Sequence, residues 1–321
     1  MCIRDRYRTF LNSDPPRILK LWHASQLGPG AAEGFPCGVL DMLIFSQPYF
    51  DFAGFFVAEK DGQVVGFSHA GFSANDERNK IDRRHGTIAA IVVHPEYRRQ
   101  GIGAHLLQLA EEYLAKAGSK NIVAGAGLGN NGFYNGIYGG LTAAGFVSDS
   151  FAWDDFWNPQ GYAAAQVTQV LHRDLNIGRD PVSARLMRHR RSMNLVVTDR
   201  IKNMSWWWHT RFCYMDTIRF ELQQRTDDSV AASAHITGLD IYIPKWGIRS
   251  VGLHNILVAE GERRQGYGLS LVVEICKRLR EQSVNVIEAQ VDEHDEDALK
   301  LFEAAKFDKV QRLVTFRKDL T

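Results

Sequence analysis

The chain has 321 residues, of which 45% are hydrophobic and 23% are charged, enough apolar material for two hydrophobic cores. The 38 basic residues nearly balance the 37 acidic ones, so no overall field would recruit nucleic acid or an anionic membrane. No stretch approaches the roughly 20 apolar residues that span a bilayer, and no secretory signal is evident. The four scattered cysteines form no metal-ligand spacing and suit a reducing cytoplasm, so we expect a cytoplasmic protein without a metal. Residues 1–6 resemble translated adapter sequence, and we expect no function from them.

The first half of the chain predicts alternating strands and helices. Two strands, 55–59 and 63–72, flank Asp61-Gly62, a pair typical of a two-residue hairpin. An apolar strand from Ile88 to Val93 comes next, followed by a turn rich in arginine and glycine and then a helix. A further strand, 121–126, a second helix and terminal strands complete this half.

The second half repeats this order of elements. The turn Arg98–Gly103, which reads Arg-Arg-Gln-Gly-Ile-Gly, returns at Arg263–Gly268 as Arg-Arg-Gln-Gly-Tyr-Gly. The hairpin returns around Asp227-Asp228, and the closing segments 172–175 and 317–320 also resemble each other. Matches of this extent indicate a tandem duplication.

The duplication predicts two domains, 7–175 and 193–321, each an α/β fold (a mixed α+β sheet) with helices on its faces. The first domain carries an insertion near 139–159, and residues 176–192 are interpreted as the linker. Within the linker, the basic run 185–191 is interpreted as a solvated face, with anion binding as the alternative. We expect the two domains to pair within the chain.

Each repeated turn joins a strand to a helix, which suits the binding of a pyrophosphate. The backbone N–H groups at the start of a helix have no acceptor within the helix, and the helix dipole favours an anion there. Arginine side chains can add charge-assisted hydrogen bonds. Glycine at 101, 103, 266 and 268 would let phosphate approach the backbone, since no Cβ stands in the way.

The stretches Val93–Gly103 and Val258–Gly268 resemble the acetyl-coenzyme A loop of the GNAT superfamily of N-acetyltransferases. The string Asn131–Gly140 resembles tandem GNAT proteins of the planctomycete type, and the two-domain architecture is similar to that of mycothiol synthase. The resemblance implies two tandem acyl-CoA N-acyltransferase (GNAT) domains, with acetyl-CoA as co-substrate and no metal.

The resemblance also implies which residues hold acetyl-CoA in each copy. The pantetheine arm would lie along the strand end, and the pyrophosphate would lie on the loop. In the first copy the predicted residues are Val93, Arg98, Arg99, Gln100, Gly101, Ile102, Gly103 and Ala104. In the second copy they are Val258, Arg263, Arg264, Gln265, Gly266, Tyr267, Gly268 and Leu269.

Acetyl transfer to an amine needs a base for the ammonium proton, a donor to the oxyanion and an acid for the departing thiolate. Family members often place a carboxylate base on the strand before the loop. In the first copy, simple alternation from Val93 along this strand reaches only Thr87, Ala89 and Ile91, which offer no base. In the second copy it reaches His254, and Glu288 on the adjacent strand could act through water.

For the general acid, the first copy has a candidate and the second copy does not, the reverse of the situation for the base. Tyr138 occupies the position of the family's acidic tyrosine in the first copy, whereas the second copy has Phe302, which cannot donate a proton. Each candidate also has a purely structural interpretation: a hydrogen-bonded strand histidine, a solvent-facing carboxylate and a core tyrosine. The compact second copy is favoured as the active one.

The insertion combines aromatic and acidic side chains, which suit either a cationic amine or a contact between domains; the second interpretation is favoured. These residues are Phe146, Phe151, Trp153, Phe156, Trp157, Asp149, Asp154 and Asp155. Trp206, Trp207 and Trp208 are expected to pack the start of the second domain.

These patterns together predict an N-acetyltransferase that moves acetyl from acetyl-CoA to a primary amine of a small molecule or peptide. Nucleic acid and membranes are not expected as partners. The alternative is a non-catalytic acyl-CoA binding or sensing protein, which the incomplete acid and base sets leave open. An aminoacyl-transferring relative ranks lower, because such proteins generally lack the Arg-x-x-Gly-x-Gly loop. Two acetyl-CoA sites per chain are expected.

Overall fold

The structure of the protein is a computed structural model that describes residues 6–148, 153–199, 201 and 204–320. Its strands are β1 (Arg6–Thr9), β2 (Phe55–Lys60), β3 (Gln63–Ala74), β4 (Ile81–Val93), β5 (Asn121–Ala124), β6 (Phe146–Val147), β7 (Ala163–Asp174), β8 (Met193–Thr198), β9 (Thr217–Gln224), β10 (Val230–Gly238), β11 (Ser250–Val258), β12 (Val286–Asp292) and β13 (Asp308–Asp319). Its α-helices are α1 (Pro15–Ala24), α2 (Cys37–Leu40), α3 (Ile102–Lys116), α4 (Trp153–Trp157), α5 (Ala184–Ser192), α6 (Trp206–Phe212), α7 (Ile243–Trp246), α8 (Tyr267–Glu281) and α9 (Glu296–Ala304).

The chain divides into two compact units. The first unit comprises residues 1–168, 205–214 and 312–321. Its sheet has the order β1, β2, β3, β4, β5 and then the last part of β13. The pairing of β4 with β5 is parallel, and the other pairings along this order are antiparallel.

The hairpin between β2 and β3 is confirmed, and its turn residues show why it forms. Asp61 and Gly62 have φ angles of +52° and +75°. Two consecutive residues with positive φ match the right-handed twist of a two-residue hairpin, and Asp-Gly accepts this conformation readily. The long hairpin arm β3 then provides the strand against which β4 pairs.

The core of the first unit lies between the sheet and α3. The helix buries an apolar stripe with helical spacing, which predicts one face against a sheet. These residues are Ile102, Leu106, Leu107, Ala110 and Leu114. Because α3 begins directly after the Arg- and Gly-rich turn, this packing fixes the position of the helix N-terminus.

The second unit comprises residues 169–204 and 215–311. Its sheet has the order β7, β12, β11, β10, β9 and β8, with β11 and β12 parallel. Helix α8 covers one face with the same periodicity as α3, burying Leu271, Val272, Ile275 and Leu279. The mixed α/β fold class and the tandem arrangement are confirmed.

The compact units differ from the sequence boundaries at residues 175 and 193 in three segments. Residues 169–175 belong to the second unit, whereas 205–214 and 312–321 belong to the first. The later part of each copy's closing strand therefore lies in the other unit, and Phe316 of the second copy pairs with Ala124 of β5 in the first unit. A repeat pattern cannot predict this exchange, because both closing strands have the same sequence character.

The segment interpreted as a linker contains a capped helix, α5. The Ser183 side chain accepts a hydrogen bond from the Leu186 backbone N–H at 3.2 Å, a standard N-cap. The insertion forms β6 and α4, while its residues Asp149 and Phe151 lie outside the described residues. Within the described residues, no helix is long and apolar enough to cross a membrane.

Candidate functional site

The first unit contains a cleft of about 490 Å³ between the end of β4, the start of α3 and α4. Six of the eight residues predicted to bind acetyl-CoA in this copy line it, namely Val93, Arg98, Arg99, Gly101, Gly103 and Ala104. The other two face elsewhere. The Gln100 side-chain amide donates to the backbone oxygen of Glu96 at 3.0 Å, and Ile102 is buried in the core.

The turn at the mouth of this cleft presents free backbone donors. Gly101 has a φ of +83° and lies immediately before α3. In the first turn of α3, the His105 N–H donates a hydrogen bond to the Gly101 carbonyl at 3.0 Å. The N–H groups of residues 102, 103 and 104 therefore have no acceptor within the helix and point out of its N-terminal end. This arrangement suits a phosphate or pyrophosphate.

Space at the two glycines differs. A Cβ added at Gly101 would meet no atom within 4 Å, so the cleft is open at this point. A Cβ at Gly103 would lie 3.3 Å from the Phe156 ring. Gly101 is thus required by its positive φ, and Gly103 allows the aromatic wall to approach the helix.

Arg98 lines the cleft, and two backbone acceptors hold its side chain. Its Nε donates to the Val93 carbonyl at 3.0 Å, and its Nη2 donates to the Ser25 carbonyl. Burial lowers the pKa of Arg98 below its ordinary value. Arg98 therefore ties the turn to β4 and to the end of α1, while the exposed Arg99 is the cation directed to the cleft.

The insertion forms a wall of the cleft, rather than only the domain contact that its composition favoured. Trp153, Asp155 and Phe156 of α4 line the cleft. The Trp153 indole donates to the Val147 carbonyl at 2.8 Å, which fixes the wall to β6. Trp157 points into the core and stacks near Phe316, with ring centroids 5.7 Å apart.

A bulge interrupts β4 just before the cleft. Ala70 of β3 pairs with Ile88, but its neighbour His69 pairs with Ala90, so Ala89 has no residue opposite it. The same irregularity recurs between β10 and β11, where Asn255 has a φ of +52°. A bulge shifts the alternation of side chains by one residue.

This bulge corrects the alternation assumed from the sequence. Thr87 pairs with Gly71 of β3 and Val93 pairs with Gly66. These partners are an odd number of residues apart, so Thr87 and Val93 lie on opposite faces of the sheet. His254 and Val258 are separated in the same way on β10. Simple counting along either strand therefore assigned the wrong face to these side chains.

A smaller cavity of about 30 Å³ adjoins the cleft at the bulge and shares Val92 and Trp153 with it. Ala89 and Tyr138 also line this inner cavity. The Tyr138 hydroxyl accepts a hydrogen bond from the Val147 N–H at 3.2 Å. Burial raises the pKa of Tyr138 to about 12, so the phenol is protonated at neutral pH and can donate a proton.

Tyr138 does not lie in a helix, although the family pattern places its counterpart in one. It forms an isolated bridge with Ala31 in an irregular segment after β5. Glycines with positive φ, among them Gly136, Gly139 and Gly140, shape this segment. These glycines are present in the sequence, but the prediction of a helix here followed the family pattern.

Two residues of the inner cavity region were missed. Tyr134 lines the inner cavity, and its hydroxyl lies 3.1 Å from Nδ1 of the buried His69. Burial lowers the pKa of His69 to about 3 and raises that of Tyr134, so both are neutral at pH 7. Tyr134 lies within Asn131–Gly140, which the sequence analysis used only for the family resemblance. His69 lies on β3, whereas the candidates for the base were sought on the strand before the loop.

The loop of the second copy differs from that of the first, because side chains of the second unit occupy the space beside its glycines. A Cβ at Gly266 would lie 2.8 Å from Cδ of Arg185 on α5, and one at Gly268 would lie 2.8 Å from Cδ1 of Leu301. His189 of α5 bonds to Ser270 at 2.7 Å and stacks on Tyr267 with ring centroids 4.3 Å apart. The basic helix thus lies on the turn where a phosphate would bind.

The other predicted residues of the second loop point away from a common site. Arg264 pairs with Asp297 at 2.9 Å, and Gln265 donates to the Gly261 carbonyl at 3.1 Å. Arg263 is exposed, while Leu269 and Val258 pack against the second core. This loop has the backbone shape of the first one but not its open space.

His254 and Glu288 lie on one face of the second unit's sheet, since Glu288 pairs with Gly252, two residues before His254. Nε2 of His254 lies 2.8 Å from the Thr237 hydroxyl. Glu288 is buried, 3.5 Å from Nε2 of His172. Phe302, the counterpart of Tyr138, packs in the core.

No cluster of His, Cys, Asp or Glu that could hold a metal occurs among the residues the structure describes.

Comparison with known proteins identifies the family of the chain. The family model described as Acetyltransferase (GNAT) family matches residues 25–135 and 204–307, more than half of the chain. Among curated proteins, none matches the sequence significantly.

Several solved structures share the fold. A GCN5-related N-acetyltransferase from Sphaerobacter thermophilus is 15% identical, with a TM-score of 0.62 over 98% of this chain and 95% of that one. A tandem GNAT protein from the clavulanic acid biosynthesis pathway is 14% identical, with a TM-score of 0.66 over 98% of both chains. The glucosamine N-acetyltransferase region of a fungal multi-domain enzyme is 18% identical, with a TM-score of 0.64 over 99% of this chain and 38% of that one.

Proposed function

Because the chain belongs to the GNAT acetyltransferase family, we propose that it moves acetyl from acetyl-CoA to a primary amine of a small molecule or peptide. The observation that carries this proposal is the open cleft of the first unit, which begins at free helix N–H groups and ends at a cavity with a protonated tyrosine. We assign the chemistry to the first copy, although the sequence favoured the second. A cytoplasmic location stays a prediction.

Binding would use the turn and the wall of the cleft. The N–H groups of 102–104 and the side chain of Arg99 would hold the pyrophosphate, and Arg98 would keep the turn against β4. Phe156 and Trp153 would cover the apolar pantetheine arm and exclude water from it.

The transfer forms a C–N bond to the amine and breaks the thioester C–S bond. Acetyl-CoA supplies the activated acyl group when bound. Tyr138 would give its proton to the departing thiolate sulfur and recover one from the ammonium formed by attack, through water. Backbone groups of the bulge at Ala89, which border the same cavity, are the candidate donors to the oxyanion.

No base is needed at the inner cavity if the amine enters uncharged. Of the described residues that border this cavity, the titratable ones are Tyr134 and Tyr138, and both have raised pKa values. His69 behind Tyr134 is held neutral by burial. The small fraction of free amine at neutral pH would then be the reactive species.

The test is a screen of primary amines with purified protein and acetyl-CoA, following release of the coenzyme A thiol. Wild type should release thiol with at least one amine, and Gly101→Glu should release it more slowly at subsaturating acetyl-CoA, because a carboxylate at the turn would oppose the pyrophosphate. A protein that binds acetyl-CoA but releases no thiol with any amine would favour the sensing function instead.

A further inference from the structure

A buried arginine of α6, Arg211, has no acidic partner among the residues that the structure describes, and its guanidinium lies 4.9 Å from the centroid of the Phe212 ring. Arg211 is only 6% exposed, and no ion pair to it occurs within the described ranges. Its Nη1 donates to the Gly129 carbonyl at 3.0 Å, and its Nε has no hydrogen-bond partner there. Burial lowers the pKa of Arg211 to about 10, against a smaller opposing effect of Tyr49 and with a further lowering by Arg78. A guanidinium removed from water is costly unless it is paired, so this position calls for an anion.

A second arginine lies at the same turn. Nη2 of Arg78 is 4.0 Å from the point that a Cβ at Gly129 would occupy. Arg78 is exposed and forms no ion pair with any residue that the structure describes. The neighbouring carboxylate of Glu77 accepts a hydrogen bond from Asn75. Two cations at one turn, neither with a carboxylate partner among the described residues, repel each other, and an anion between them would relieve this repulsion.

The turn and α6 are held firmly in place, so Arg211 is built into its position. The Trp207 indole also donates to the Gly129 carbonyl at 3.0 Å, and the Trp207 N–H donates to the Arg78 carbonyl at 3.3 Å. The Trp207 ring lies 5.0 Å from that of Tyr49, whose hydroxyl donates to Gly132 at 2.9 Å. These contacts belong to the first unit, although the sequence assigned the tryptophans to the second domain.

We infer that Arg211 and Arg78 bind an anionic group, a carboxylate or a phosphate, at the turn around Gly129. The group has two sources, a free anion or the far end of the acceptor amine, and the second source rests on the proposed function. Gly129 precedes Tyr134 of the inner cavity by five positions, and five residues span at most about 18 Å. An amine with an anionic end could therefore reach both places.

Inorganic phosphate is the first probe, added at constant ionic strength to protein saturated with coenzyme A, which would occupy the phosphate-binding turn at Gly101, while the thermal unfolding midpoint is followed. Phosphate should raise the midpoint of wild type. Arg78→Gln should weaken the apparent phosphate affinity roughly ten- to a hundredfold, the usual effect of losing a hydrogen bond to a charged group. Arg84→Gln is the matched control, because it removes the same charge from the same hairpin and Arg84 pairs with Asp82 at 2.6 Å. It should respond like wild type.

Arg211→Met separates binding from folding. If Arg211 binds an anion, then in the absence of phosphate the variant should have the same unfolding midpoint as wild type or a higher one. Added phosphate should not change the midpoint of the variant. If Arg211 is only structural, its loss would lower the midpoint equally with and without phosphate, which contradicts the inference.

The source of the anion is tested with matched acceptors: propylamine, β-alanine and 2-aminoethyl phosphate, each with acetyl-CoA. A preference of about tenfold or more in kcat/KM for the anionic amines, lost in Arg78→Gln, identifies the acceptor as the source. A phosphate response without this preference supports the site with a free anion. Failure of these three amines together with every amine of the wider screen contradicts the proposed function, while the phosphate response still reports on the site. If wild type shows neither a phosphate response nor this preference, the inference is overturned.

Discussion

The contrast between the two loops predicts one acetyl-CoA site per chain, not the two expected from the repeat. The perturbation is a carboxylate at each turn, Gly101→Glu and Gly266→Glu; both positions have similar positive φ values, +83° and +88°. A carboxylate about 5 Å from the pyrophosphate opposes it by about 1 to 3 kcal/mol for effective dielectric constants of about 80 to 20, or about 5- to 150-fold in Kd. Gly101→Glu should show this loss, and Gly266→Glu should not, since Arg185 already fills that space.

Isothermal calorimetry with acetyl-CoA measures both the number of sites and the affinity. Wild type and Gly266→Glu should bind one equivalent with the same Kd. Gly101→Gln serves as the control, because it has the backbone strain and bulk of the glutamate without its charge, so the Glu-to-Gln difference reports the electrostatic effect alone. Two equivalents in wild type, or a loss of half the binding in Gly266→Glu, would refute the argument from the filled second loop.

Three further predictions follow from the first unit. Tyr138→Phe should lower kcat roughly 10²- to 10⁴-fold with little change in the Kd of acetyl-CoA, as stopped-flow and calorimetry would show; an unchanged kcat would exclude Tyr138 as the acid. The value of kcat/KM should rise about tenfold per pH unit toward the pKa of the amine near 10, because Tyr138 stays protonated up to about pH 12 and His69 stays neutral above about pH 3. A bell-shaped profile centred near pH 7 would instead indicate a titrating base on the enzyme. Gly132→Ala should destabilise the protein by about 1 to 3 kcal/mol in urea unfolding, since the new Cβ would lie 2.7 Å from Trp207 and from Tyr49, whereas Gly38→Ala, with open space, should have a smaller effect.

The parts of the fold that could be predicted from the sequence depend on local signals. The Asp61-Gly62 turn requires two positive φ angles, and the apolar spacing from Leu106 to Leu114 requires a helix with one buried face. The first loop combined both kinds of signal. Its residues come together at the cleft because a strand, a turn and a helix are consecutive in the chain.

The features that were not predicted depend on contacts between distant residues. Arg185 approaches Gly266 only because α5 packs on α8, and no pattern in either segment shows this. The role of Arg98 is set by the Ser25 carbonyl at the end of α1. The bulge at Ala89 is a register shift between two strands, so counting along one strand cannot show it.

The most direct test of the first loop as the acetyl-CoA site is hydrogen exchange of individual backbone amides, measured with and without acetyl-CoA. The N–H groups of 102–104 precede the first helical acceptor, so they should exchange quickly in the free protein and slowly in the complex. The equivalent groups of 267–269 should exchange at the same rate in both. Protection at 267–269 alone, or at neither loop, would contradict the assignment of acetyl-CoA binding to the first copy.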